Sequence, residues 1–256
     1  MNPPDLIFDG DDAVWFREGL FSAAYAKFFN LMCEIFGKMV IDFGSQVKRL
    51  HILQPPLYEE FGVRRGRIAR EMLGVYHDMC ECVDQRFSIN FYNAEHIAEI
   101  NKIADEPFAY WRWEWLPEAE STLELLKSKG HKLCLLTRND DVLWPEIKKF
   151  MKLHRFFREE NMLQTEKKKT TNDFIKVSNW TRQRDGKHKW IAIGNSWGDI
   201  DPALEISPQW SGILIPWANT NMYDASDDHN PFLLSLYSPK PRTTIISGIK
   251  DLPRVI

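Results

Sequence analysis

One strand-like run, Leu6-Ile7-Phe8-Asp9, stands alone at the start of the chain, and roughly a hundred residues of helical periodicity separate it from the next strand candidate. Within that block Phe21, Tyr25, Phe28, Phe29 and Met32 recur at three- and four-residue spacings, as do Ile68, Met72, Val75, Tyr76 and Met79. After Gly130 the pattern alternates. Strand candidates at His131 to Thr137, Glu159 to Gln164, Lys189 to Gly194 and Gly212 to Pro216 are interleaved with helical stretches at Glu118 to Lys129, Trp144 to Leu153 and Thr171 to Thr181. Such alternation predicts an α/β fold, a doubly wound parallel sheet covered on both faces, and the isolated first strand has no other sheet to join. The helical block is therefore expected as an insertion: residues 1–16 and 112–256 form a discontinuous α/β core, and residues 17–108 form a helical domain of their own. The polar stretch Asn219 to Asn230 is expected as a surface loop.

A chain of 256 residues is long enough to bury a core of this kind. No apolar run approaches the roughly 20 residues of a membrane-spanning helix, and Met-Asn-Pro-Pro-Asp lacks the regions of a signal peptide. Cys33, Cys80, Cys82 and Cys134 show no paired metal-ligand spacing, so a cytoplasmic protein with reduced thiols is expected. A net charge of −3 gives no reason to expect a nucleic-acid surface, and Lys167-Lys168-Lys169 is too short to provide one. A homo-oligomer stays open.

The first strand delivers three carboxylates, Asp9, Asp11 and Asp12, with Gly10 between the first two. Like charges so close repel unless a cation or a proton intervenes, which points to a metal site, acid–base chemistry, or both. In doubly wound sheets ligands bind beyond the carboxyl ends of the strands, so the residues that end each strand are the candidates. The second strand ends at Thr137-Arg138-Asn139-Asp140; a lysine run precedes the helix after the third; the fourth ends at Gly194-Asn195-Ser196-Trp197-Gly198-Asp199.

In order and spacing this set resembles the haloacid dehalogenase (HAD) superfamily, in its phosphatase-like branch. Asp9-Gly10-Asp11-Asp12-Ala13 matches that superfamily's first motif, Thr137 its second, a lysine ahead of a helix its third, and Gly194 to Asp199 its fourth. The helical insertion resembles the superfamily's C1-type cap. The resemblance implies a Mg²⁺-dependent phosphohydrolase acting on a small phosphorylated metabolite through an aspartyl-phosphate. Asp9 would be the nucleophile. Asp11 would protonate the leaving alcohol and activate the water, Thr137 would hold a phosphoryl oxygen, and the lysine would clamp charge. The Asp9 and Asp199 carboxylates and the Asp11 carbonyl would hold Mg²⁺, with Asn195 beside them. The acid at position 11 favours phosphoryl transfer over carbon–halogen cleavage, whose branch lacks it.

Ala13 replaces the usual Thr or Val, and Asn195 replaces an Asp common in the fourth motif, lowering the charge around the cation by one. Alternatives are a dehalogenase or phosphonatase on the same scaffold, or a HAD-like binding protein that has lost turnover. Lys169 and Lys168 both fit the third motif, with Lys169 slightly preferred. Arg138 could reach a substrate phosphate or carboxylate, or form a surface ion pair. Asp12 could support the site or cap a turn. Tyr110-Trp111-Arg112-Trp113-Glu114-Trp115 could be a substrate platform, although hinge packing suits its position better, and His51, His77 and His96 are expected to be structural.

Overall fold

The computed structural model describes residues 3–37, 43–88, 90–165, 167–178, 188–216 and 239–256. In chain order its strands and helices are β1 (Asp5–Phe8), β2 (Trp15–Phe16), α1 (Glu18–Phe36), α2 (Phe43–Phe61), α3 (Gly66–Phe87), α4 (Ala94–Asp105), β3 (Glu114–Trp115), α5 (Ala119–Ser128), β4 (Leu133–Arg138), α6 (Trp144–Phe150), β5 (Met162–Thr165), α7 (Thr171–Ser178), β6 (Trp190–Gly194), α8 (Asp201–Leu204), β7 (Trp210–Leu214), β8 (Thr243–Ile245) and α9 (Leu252–Val255). They fall into two compact units: residues 1–19 with 110–256, and residues 20–109.

The first unit is built on a six-stranded sheet in the order β5-β4-β1-β6-β7-β8, parallel throughout. The chain starts in the middle, winds out through β4 and β5, then crosses β1 and winds out the other way. This reversal puts the switch point beside β1, where the carboxyl ends of adjacent strands diverge and leave a crevice. β1 and β4 are buried along nearly their whole length, as strands covered on both faces must be. On one face Ile7, Cys134, Leu136 and Ala192 pack with Phe174 and Val177 of α7, and Trp190 stacks on Trp210 with centroids 5.6 Å apart. On the other, Phe8 meets Phe157 edge to face.

Two features carry no signal in the sequence. β8 is three residues long and mostly polar, and β2 and β3 form a two-residue antiparallel pair. Local rules also trimmed the expected elements. The helix from Trp144 stops at Phe150, since Lys152 adopts a left-handed conformation (φ 51°) that a helix cannot continue through. Residues 159–161 form a 3₁₀ turn, so the expected third strand begins only at Met162. The expected loop at 219–230, and the last three residues of the helix expected from Thr171, lie outside the described residues.

The second unit is helical. α3 buries Ile68, Met72, Val75 and Tyr76 along one stripe, and Phe28 and Met32 of α1 are fully buried. Its histidines make ordinary contacts: His96 Nδ1 lies 3.2 Å from Tyr76 Oη and His77 Nε2 lies 2.9 Å from Tyr92 Oη, while His51 is exposed. Asn93 caps α4 by accepting a hydrogen bond from the Glu95 amide. The four cysteines are free. No helix among the described residues is long and apolar enough to cross a membrane.

Candidate active site

β1 ends in a tight loop. The Asp9 amide donates to Ile193 O of β6, which carries Asp9 one step beyond the strand, and the amides of Val14 and Trp15 fold back onto Gly10 O. The loop needs glycine at position 10: a Cβ there would lie 2.1 Å from the Trp15 ring and 2.8 Å from Thr137 Oγ1. Asp12 turns the chain in a left-handed conformation (φ 58°), its amide donating to Trp15 O and its Oδ1 accepting from the Arg17 amide. This is the turn-capping role, and it leaves Asp12 buried at the back of the loop.

Asp9, Lys169 and Asp199 meet at the carboxyl edge of the sheet. Lys169 Nζ lies 2.6 Å from Asp9 Oδ1 and 2.8 Å from Asp199 Oδ1, with all three side chains nearly sealed from solvent. Asp9 Oδ1 also accepts from the Gly10 amide at 2.7 Å, and Ser196 Oγ donates to Asp199 Oδ2. Asp9 Oδ2 accepts no hydrogen bond from the described residues, which leaves it as the oxygen free to act. Asp199 approaches so closely that a Cβ on Gly194 would fall 2.5 Å from Asp199 Cβ. Of the lysine run, Lys169 is buried in the cluster, whereas Lys168 and Lys167 are exposed. Lys168, the other lysine that fits the third motif, lies outside this cluster.

Two carboxylates and one ammonium leave one excess negative charge in a dry site. Burial, then repulsion from Asp199, raises the Asp9 carboxyl to about 7 despite Lys169. Burial acts on Asp199 in the same direction, but Lys169 and the Arg138 guanidinium outweigh it and hold Asp199 below its ordinary value. Burial would lower Lys169; the two carboxylates overcome it and raise the ammonium. The pattern is what one uncompensated charge produces, and a cation bound beside the two carboxylates would remove it.

Thr137, at the end of β4, is fully buried, and its Oγ1 has no hydrogen-bond partner among the described residues. Asn139 is similar, with both amide atoms unpartnered and buried. Such groups are rare in folded proteins and mark places where something else supplies the partner. Arg138 is close enough to act electrostatically on both Asp199 and Lys169, and its own carbonyl accepts from Arg17. Asn195 is half-buried, directly after β6.

Asp11 projects a partly exposed carboxylate beside this cluster, close enough to raise the Asp9 carboxyl further. Its oxygens accept from Trp15 Nε1 at 2.7 Å and from Arg17. Arg17, Ser196 and the orphaned Asn139 were not singled out from the sequence. For Arg17 a signal existed: it ends the apolar run Ala13-Val14-Trp15-Phe16, where a charged residue must find a partner. The aromatic stretch at 110–115 packs within the core unit. Trp113 stacks on Trp15 (centroids 6.4 Å), Trp115 meets Phe156, and Trp111 alone of its tryptophans is exposed, at 64%.

Among the described residues no three His, Cys, Asp or Glu side chains gather as a metal cluster. The donors here are of another kind, the carboxylates of Asp9 and Asp199, hard oxygens of the type Mg²⁺ takes along with water.

No protein-family model matches the chain, and no curated protein does. Solved structures do. A haloacid dehalogenase-like family hydrolase from Xanthomonas campestris superimposes with a TM-score of 0.69 at 18% identity, over 98% of this chain and 90% of that one. The Bacillus subtilis protein YfnB, assigned to the HAD hydrolases and crystallised with magnesium, gives 0.59 at 12% identity, over 100% and 99%. A 2-haloacid dehalogenase from Pseudomonas syringae gives 0.55 at 16%, over 99% and 98%. The chain thus has the fold of the haloacid dehalogenase-like hydrolases over nearly its whole length. Since one fold carries several reactions, the chemistry must be argued from the site.

Proposed function

We propose that this chain is a Mg²⁺-dependent phosphohydrolase that cleaves a small phosphorylated metabolite through an aspartyl-phosphate on Asp9. The observation that carries this reading is the buried Asp9–Lys169–Asp199 cluster at the end of the central strand, with Asp9 Oδ2 left open and Asp11 two residues away. Asp9 Oδ2 attacks phosphorus while the Gly10 amide and Lys169 hold Oδ1, so the nucleophile is fixed in direction. Thr137 Oγ1 donates to a phosphoryl oxygen, the partner that its burial denies it within the protein. Arg138 adds positive charge near Asp199 and Lys169. Asp11 gives a proton to the leaving alcohol in the first half-reaction and takes one from the attacking water in the second. Asp9, Asp199, the Asp11 carbonyl and Asn195 would hold the cation. When bound, Mg²⁺ offsets the charge that otherwise keeps a phosphate dianion from a carboxylate.

Asp11 is what favours this over the dehalogenase reaction of the Pseudomonas neighbour: a halide leaves without a proton, an alkoxide does not. The helical unit, residues 20–109, is assigned the part of the superfamily's inserted cap. A phosphate-release screen over sugar phosphates, nucleotides and cofactor phosphates, with and without Mg²⁺ and alongside 2-haloacids, tests the reading. Mg²⁺-dependent phosphate release that disappears in Asp9→Asn is expected. Halide release without phosphate release would overturn it.

A further inference from the structure

Arg17 is a charged residue whose side chain is only 4% exposed, placed where an apolar side chain would fill the space at less cost. Its guanidinium lies 4.7 Å from the centre of the Trp113 ring, and its NH1 donates to Asp11 Oδ2 at 2.5 Å and approaches Arg138 O at 3.4 Å. Its amide is held by Asp12 Oδ1 at 2.9 Å. The planar fork is thus fixed against an aromatic face, a main-chain carbonyl at the end of β4, and the loop that follows β1. Asp11 is not fixed in this way by its own burial: its side chain is 22% exposed, and a carboxylate on a short stem at that exposure can turn among rotamers. Arg17 on one oxygen and Trp15 Nε1 on the other remove that freedom.

We propose that Arg17 is a positioning residue, holding the Asp11 carboxylate at the angle from which it serves the leaving group and the attacking water. This deepens the phosphohydrolase reading and rests on it. Arg17 touches no reacting atom; it acts through Asp11. A lysine cannot replace it, because an ammonium has no plane to lie on Trp113 while pointing at Asp11.

The test uses the full-length protein with Mg²⁺ and p-nitrophenyl phosphate. Arg17→Ala should lower kcat by about 100-fold, the scale of a misplaced catalytic group, with KM moving by less than about threefold. Millimolar guanidinium should restore about tenfold of the loss, and ammonium at the same concentration should restore none. Adding Arg17→Ala to Asp11→Asn should cost nothing beyond the single Asp11→Asn change, because two residues acting as one unit are not additive. A kcat within about threefold of wild type, a loss carried by KM alone, or full additivity with Asp11→Asn would overturn the proposal.

A second measurement needs no turnover. Exchange of the Trp15 indole N–H, followed by NMR, should be slow in the wild type and faster in Arg17→Ala or Arg17→Met, as Asp11 loosens from the indole. Unchanged exchange would overturn the positioning role. A wild type inert on every ester, with exchange responding as described, would instead refute the phosphohydrolase reading and leave the Arg17–Asp11 coupling standing.

Discussion

Replacing Lys169 by methionine keeps most of the side-chain volume and removes the ammonium that Asp9 and Asp199 share. The formal charge of the trio goes from one negative to two, with both carboxylates more than nine-tenths buried. Removing one partner of a buried pair costs about 3–5 kcal/mol, because the remaining charge is left uncompensated. For a chain of this size about 1 kcal/mol shifts the melting temperature by about 2–4 °C, so a drop of about 6–20 °C follows, read by circular dichroism in metal-free buffer at neutral pH. The charge argument makes a second claim that lost packing cannot. Asp9→Asn in the Lys169→Met background restores the count to one negative charge and should recover about half of the drop or more. Asp9→Asn alone should melt above wild type, since burial and Asp199 both disfavour the ionised Asp9. A Lys169→Met protein melting within about 2 °C of wild type, or a double variant less stable than Lys169→Met, would refute the reasoning.

Further outcomes follow from the same geometry. In metal-free protein the Asp9 carboxyl, raised by burial to about 7 from 3.8, binds a proton in the folded state where the unfolded chain has lost it; stability therefore falls as pH rises from about 4 to about 7, which urea midpoints across that window would show or contradict. Asp199, held low, contributes an opposite slope only below its ordinary value of 3.8, outside that window. Mg²⁺ should raise the melting temperature more near pH 7.5 than near pH 5, because its ligand must be ionised; equal shifts would argue against Asp9 as ligand. Thr137→Val should lower kcat by about 10²-fold or more while leaving the fold as stable or slightly more so, since it deletes a buried hydroxyl without a partner. Gly10→Ala should destabilise by about 1–3 kcal/mol and cut turnover at least tenfold, the added methyl having nowhere to go between the Trp15 ring and Thr137; wild-type turnover in this variant would show that the loop tolerates displacement.

The fold was legible from two signals: a helical repeat over α1 to α4, and short continuous apolar runs such as Leu133 to Leu136, whose length and alternation with helical stretches suit buried parallel strands. The short elements were not, since two residues at Trp15–Phe16 or three at Thr243–Ile245 carry no period to read. Asp9 and Thr137 were candidates because they stand at strand ends, whereas Asp199, beyond the end of β6, was singled out by the resemblance of Gly194 to Asp199 to the superfamily's fourth motif. Between Lys168 and Lys169 the sequence carried only a slight preference for Lys169, because the choice turns on which of two neighbouring residues reaches the cluster after a loop. Arg17 and Trp113 are distant in sequence and meet only through the β2–β3 pairing, so their role in fixing Asp11 emerged from the structure.

The central claim is that Asp9 carries the phosphoryl group during turnover. Wild-type protein quenched in acid while it consumes an aryl phosphate with Mg²⁺, digested and examined by mass spectrometry, should yield a phosphoryl adduct on the peptide containing Asp9, absent in Asp9→Asn. Phosphate release with no adduct on that peptide, or with the adduct on another residue, would contradict the account.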